Sequence, residues 1–268
     1  MTSTTVDAGR RAGRMSILLH LSWQIFLRDF RARYRRAYFA PFWILAPMLV
    51  MSASAALIAR ELAPSLLAGP APYPVLVVAG LLFWGVFSDS VTGPQQMCRR
   101  SRTYLRRAPI EPGAILIAST CYVVMNLLVR VPVLVGLMIW FGFAPPPQAL
   151  LAPLFLVSLG MLGLGLGAML APLSLVYLDI RYGLPFVLMV ALLLTPVFYP
   201  VPETGTLRTL AEFNPIAHLL VCARDLLTLG RSDFLGMAAA TAAATSVLFT
   251  PLAIAYYRWG LPKGIAHI

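Results

Sequence analysis

The chain has 268 residues, 59% of them hydrophobic and only 12% charged, with 21 Lys and Arg against 10 Asp and Glu. Soluble domains carry about 25% charged residues, so this composition excludes an ordinary soluble fold. The formal charge of +11 sits in short, arginine-rich blocks beside apolar runs. That pattern fits positive segments held at one face of a membrane better than it fits a nucleic-acid surface.

Residues 1–40 read as a cytoplasmic N-terminus. Arg10, Arg11 and Arg14 precede no apolar run with a small-residue cleavage site, so no removable signal peptide is expected. Residues 15–36 read as an amphipathic interfacial helix. Leu19, Trp23, Phe26 and Phe30 fall on one stripe, with Gln24, Arg28, Arg31 and Arg35 on the opposing side. Such a helix suits the headgroup plane. Leu18, Leu21 and Ile25 blur the stripe, which leaves open that the segment begins an ordinary first helix.

Six charge-poor runs then read as transmembrane helices: 41–59, 74–90 with Asp89 at its end, 114–140 with Asn126 and Arg130 inside, 148–171, 183–201 and 234–257. The stretch from Val131 to Leu178 has no charged residue and no His. It holds two crossings of about 20 residues each, with Pro145-Pro146-Pro147 between them. The expected organisation is an all-α membrane domain over 41–257 and a cytoplasmic tail at 258–268. With the N-terminus inside, most of the 21 basic residues lie on the cytoplasmic side, as the positive-inside bias requires. Both termini are then cytoplasmic, and Asp89 and Asp179 lie at cytoplasmic ends.

Two connections stand out. The loop 93–113 carries Arg99, Arg100, Arg102, Arg106 and Arg107 between the breakers Gly93-Pro94 and Glu111-Pro112-Gly113. It reads as a short helix along the membrane or as a solvated positive loop. The segment 202–233 is too apolar for a free outer loop, and Asn214-Pro215 signals a helix start within it. Short helices dipping into the outer leaflet fit its pattern, because backbone at that depth must be covered by protein or line a wet cavity.

The chemistry that is missing narrows the function. Ion coupling needs ionisable groups inside the membrane, and here only Arg130 lies deep, about 24 Å from the inner edge. It either snorkels outward or joins Asn126 in lining a polar path for an anionic substrate. His20, His218 and His267 lie far apart, and Cys98, Cys121 and Cys222 form no bridgeable pair or metal spacing. The run Gly160 to Gly167 lies within an apolar span and lacks the Gly-Lys-Ser/Thr of a phosphate loop. Small residues there serve close helix packing. Aromatic rings cluster at the interfaces, where they form a belt or, for a subset, line a path for sugar rings.

In order along the chain stand Arg33-Tyr34-Arg35-Arg36, Ala40-Pro41-Phe42-Trp43-Ile44-Leu45-Ala46-Pro47 and Gly80-Leu81-Leu82-Phe83-Trp84. Leu178-Asp179-Ile180-Arg181-Tyr182-Gly183-Leu184-Pro185-Phe186, Thr195-Pro196-Val197-Phe198-Tyr199-Pro200, Asn214-Pro215-Ile216 and Arg224-Asp225 follow. With this set the chain resembles, over nearly its whole length, the membrane subunit of ABC-type polysaccharide exporters, those for O-antigen, capsule and teichoic acid. The resemblance implies a homodimer of six-span subunits with outer re-entrant helices. It implies a separate ATPase subunit in two copies, which carries the ATP and Mg while this chain binds no cofactor and is no enzyme. The cargo would be a lipid-linked polysaccharide, O-antigen or a related surface glycan, crossing the inner membrane; an ABC-type lipid or small-molecule exporter permease is the alternative. Contact with the ATPase would fall to Arg28, Arg31, Arg35, Arg99, Arg100, Arg102, Arg106 and Arg107. Lining would fall to Phe39, Trp43, Phe83, Trp84, Phe87, Tyr122, Phe198 and Tyr199. Two departures are the arginine density of the loop 93–113 and the Pro145-Pro146-Pro147 run.

Overall fold

A computed structural model describes residues 3–34, 39–62, 64, 70–101, 111–202 and 204–266. The regular structure among the described residues is helical, as α1 (Ser3–Tyr34), α2 (Ala40–Leu62), α3 (Tyr73–Arg100), α4 (Pro112–Trp140), α5 (Ala152–Val176), α6 (Leu178–Leu194), α7 (Thr206–Phe213), α8 (Pro215–Thr228), α9 (Leu235–Ala244) and α10 (Thr250–Ala266). Five helical stretches are long and apolar enough to cross a membrane: Phe42–Leu62, Tyr73–Arg100, Pro112–Trp140, Pro147–Val176 and Leu235–Ile265.

The middle of the bundle is α3, whose residues Val75 to Trp84 are all buried. It packs on α5, α4, α8 and α2. The closest approach uses the glycine run of α5. A Cβ added at Gly163 would come within 2.8 Å of the Phe87 carbonyl oxygen, and one at Gly167 would overlap the carbonyl oxygens of Ser90 and Val91. The expectation that these glycines serve packing is met, and backbones this close gain dispersion and Cα–H···O contacts.

Three boundaries differ from the sequence expectation. Gly93-Pro94 does not end the second span, because α3 runs on to Arg100. Proline removes the bond to the carbonyl four residues back, and that carbonyl, on Ser90, faces Gly167 of α5. The freed group is thus covered by a neighbouring helix, which is how proline is tolerated in membrane helices. The fifth expected span shifts and shortens. α6 has 17 residues, about 25 Å, and stops at Leu194 before the non-helical turn 195–200. The last helix continues past Tyr257 to Ala266 after a wide π turn at Thr245–Phe249, so no break separates a tail at 258.

Helix ends follow local chemistry. α4 stops at Trp140 because Gly142 takes φ +62°. The Phe143 N–H then donates to the Met138 carbonyl at 2.8 Å, closing a Schellman-type cap. Asn214 caps α8, its side-chain oxygen accepting from the Ile216 N–H at 3.0 Å, with Pro215 pre-set for the first turn. The expectation of short helices in 202–233 is met by α7 and α8.

Candidate functional site

At the arginine-rich end of the bundle α1 lies against α4. Among its residues of described burial, Ser22, Ile25, Phe26 and Asp29 are buried, while Leu19, Leu21 and Trp23 are exposed. The apolar stripe is therefore rotated from the expected one. Phe26 keeps its place in it and Phe30 packs partly buried beside it, but Leu19 and Trp23 face outward. The rotation comes from Asp29. Its carboxylate, hemmed in by Phe26, Phe30, Met97, Tyr122 and Met125, accepts from the Arg100 guanidinium at the end of α3. Arg28 lies 3.9 Å from the same carboxylate and donates to the Ser101 hydroxyl at 3.2 Å. Arg28 and Arg100, both expected to point at a partner, thus spend hydrogen bonds within the chain. Arg31 is exposed. Arg99 lies within electrostatic reach of Arg181 at the start of α6. Arg35, Arg102, Arg106 and Arg107 lie outside the described residues.

Deeper in the bundle, Arg130 neither snorkels nor lines an open path. Its Nη1 sits 2.8 Å from Asp89 Oδ2, and Asn126 donates to the same oxygen at 3.0 Å. Asp89 lies well inside α3, since the helix extends beyond it to Arg100. The carboxylate it brings is what holds Arg130 within the protein. Space for the guanidinium comes from Gly85, where an added Cβ would lie 2.8 Å from the Arg130 Cζ. Paired charge is the form in which ionisable groups persist at this depth.

At the far end, Arg224 is 1% exposed. Its Nη1 donates to the carbonyls of Pro196 at 2.6 Å and Tyr199 at 3.0 Å, and Nε and Nη2 reach Asp225 Oδ1 at 3.1 and 2.9 Å. Burial pushes the Asp225 carboxyl up, while the Arg224 guanidinium beside it pulls it down. Tyr73 donates to the Phe198 carbonyl at 2.8 Å, Asn214 donates to the Thr195 hydroxyl at 3.2 Å, and Gly80 leaves room for the Val197 carbonyl. Within the turn the Val197 N–H donates to the Thr195 carbonyl at 2.7 Å, while the carbonyls of Pro196, Phe198 and Tyr199 are satisfied by α3 and α8. Four of the motifs that carry the sequence resemblance meet at this one turn.

The aromatic residues divide by helix. Phe83, Trp84 and Phe87 are buried among α3's neighbours, Phe87 only 2% exposed. Their rings fill the protomer core and have no face to offer a passing substrate, which corrects the lining expectation for these three. Tyr122, Phe198 and Tyr199 are half-buried. Phe39 is exposed, Trp43 is 68% exposed, and Phe42 stacks edge-on to Trp43 at 5.6 Å. Sequence reasoning passed over Tyr182 and Phe186 of α6, both exposed. It also passed over Asp29, Asp89 as a partner, and Gly85.

The histidines are structural where described. His20 pairs with Gln24 at 2.8 Å, and His218 bridges Thr241 Oγ1 at 2.9 Å and the Glu212 carbonyl at 2.8 Å. Among the described residues no group of three His, Cys, Asp or Glu gathers to hold a metal. The fold is that of a multi-pass, all-helical membrane protein.

The kind of membrane protein follows from comparison: residues 20–228 match the family described as ABC-2 type transporter, and the chain belongs to that family. It is a transmembrane permease subunit and not itself an enzyme; permeases of this family pair with ATPase subunits. No curated protein matches the chain.

Proposed function

We propose that two copies of this chain form an export path for a lipid-linked polysaccharide, O-antigen or a related surface glycan, across the inner membrane. Two ATPase subunits, carrying ATP and Mg, drive it from the cytoplasmic side. The arginine-rich end faces the cytoplasm with both termini, in keeping with the positive-inside bias. On this reading α6 completes a sixth crossing with help from the turn 195–200. The observation that carries the glycan reading is the placement of exposed rings. Phe39 just before α2, Phe42 and Trp43 on it, and Tyr182 and Phe186 on α6 stand open, and the two helices are only sparingly packed against the bundle. Ring faces hold sugar C–H faces weakly and tolerate sliding, while Tyr and Trp edges supply hydrogen bonds.

The test compares Trp43→Ala with Trp140→Ala, both rings being exposed. Surface glycan, labelled after periodate oxidation, falls about ten-fold in the first, the loss of about 1.4 kcal/mol of interaction, and stays normal in the second, at equal protein levels. Normal glycan in Trp43→Ala assigns that ring to the interfacial belt.

A second reading has its own support. Between α2 and α3 lies a cleft of about 360 Å³ lined by Val50, Met51, Ser54, Ala55, Ile58, Ala59, Tyr73 and Phe198. Its lining suits a hydrocarbon chain, so a lipid exporter permease fits as well. Filling it with Ala55→Trp blocks lipid export under that reading.

A further inference from the structure

Two segments of this chain are the surfaces on which an ATPase subunit would act: α1 and the residues from Arg99 onward. In sequence they are separated by α2 and most of α3. In the structure two side-chain links join them. Asp29, 8% exposed, accepts from Arg100, and its neighbour Arg28 donates to Ser101. Ser101 is fully buried and is the last described residue before the segment 102–110. Both links therefore hold the root of that segment. The cavity beside the pair measures about 10 Å³, room for at most one water, so solvent has little access with which to replace the bond. The guanidinium reaches in from the open side, its side chain 40% exposed against 10% for the acid.

We infer that Asp29 is a positioning residue that clamps α1 to the end of α3, so that both ATPase-facing segments move as one body. The inference rests on the reading that an ATPase subunit drives this chain. Without the clamp, a push on α1 reaches the bundle only by way of α4, against which that helix lies, and a push at the end of α3 leaves α1 behind. With it, either push is also delivered directly to α3, the helix packed against α2, α4, α5 and α8. A side-chain tie between two rigid elements is the kind of physical link that coupling requires. The basic balance fits as well, since one acid among Arg28, Arg99 and Arg100 leaves the joined surface positive toward an acidic partner.

The test places spin labels at Ala32→Cys and Gln96→Cys, with Cys121 replaced by Ala, in lipid nanodiscs holding the permease and its ATPase subunit. The expected wild-type result is one narrow distance, unchanged between the nucleotide-free state and the state trapped with ADP and vanadate. Asp29→Asn broadens the distribution in both states and raises the ATP hydrolysed per labelled glycan exported by about ten-fold, the effect of losing a coupling of about 1.4 kcal/mol. Asp29→Glu and the exchange Asp29→Arg with Arg100→Asp restore the narrow distance. A narrow, unmoved distance in Asp29→Asn overturns the clamp. Where that variant fails to fold, Arg100→Gln removes the same bond from the open side, and a narrow distance there overturns it equally. The labels report the clamp on the permease alone, whereas failure of the wild-type chain to retain an ATPase subunit counts against the underlying reading instead.

Discussion

Arg130 shows what a single charge demands of a membrane helix. Its guanidinium meets Asp89 at 2.8 Å, Asn126 shares the same carboxylate, and Gly85 gives up a side chain to make room. Removing one partner from a buried pair costs about 3–5 kcal/mol because it strands the other charge. Replacing both by apolar groups of similar volume costs far less. Asp89→Ala should therefore lower the unfolding midpoint of the detergent-solubilised protein strongly, and Asp89→Leu with Arg130→Met should recover most of the loss. If the double variant is as unstable as the single one, the pair is contributing more than charge balance. Arg224 makes the converse point: it is buried because a turn has carbonyls to satisfy, and it marks no path for substrate.

At the scale of elements, glycine and proline decide how the bundle closes. Gly163 and Gly167 let α5 rest on the backbone of α3, where a methyl group would meet the Phe87, Ser90 and Val91 carbonyls. Backbone oxygens cannot rotate away as a side chain can, so Gly167→Ala forces the helices apart at a cost of about 1–3 kcal/mol. Gly136 of α4 has nothing within 4 Å of an added Cβ, and Gly136→Ala should leave thermal stability unchanged when the two are compared by size-exclusion of heated samples. Equal stability of the two variants would mean that α5 and α3 have slack at their contact. What was legible in the sequence at this scale was periodic and local: the apolar runs, the glycine packing face, the helix end at Trp140, the cap at Asn214. What was not legible depended on a neighbour. Pro94 reads as a stop until Gly167 is known to cover the freed carbonyl. The stripe on α1 reads through Leu19 and Trp23 until Asp29 finds Arg100. Asp89 and Arg130 have no sequence spacing that announces them, because they belong to different helices. The aromatic rings of α3 read as lining or belt alike, since burial by neighbouring helices leaves no mark on the residue type.

For the whole molecule, α6 and α2 each turn large apolar side chains away from the chain's own core. Tyr182, Phe186, Met189 and Leu193 recur at helical spacing along α6 and all are exposed, while α6 meets the rest of the chain only at α5 and α7 among its larger contacts. α2 is likewise open, with Val50, Leu57 and Ile58 exposed. A helix whose large side chains point away from its own bundle gains by burying them against a second copy, and helix pairing in lipid is driven by such packing. The proposed pairing then predicts where two copies meet. In a background with Cys98, Cys121 and Cys222 replaced by Ala, single cysteines at Phe186 and Met189 should give copper-phenanthroline dimers in membranes. Val247→Cys lies on the helix run from α9 to α10 and is equally exposed, yet it should give none. Dimers at Val247 and none on α6 would place the contact on the α9–α10 run instead, and the exposed rings of α2 and α6 would then face lipid instead of a shared path.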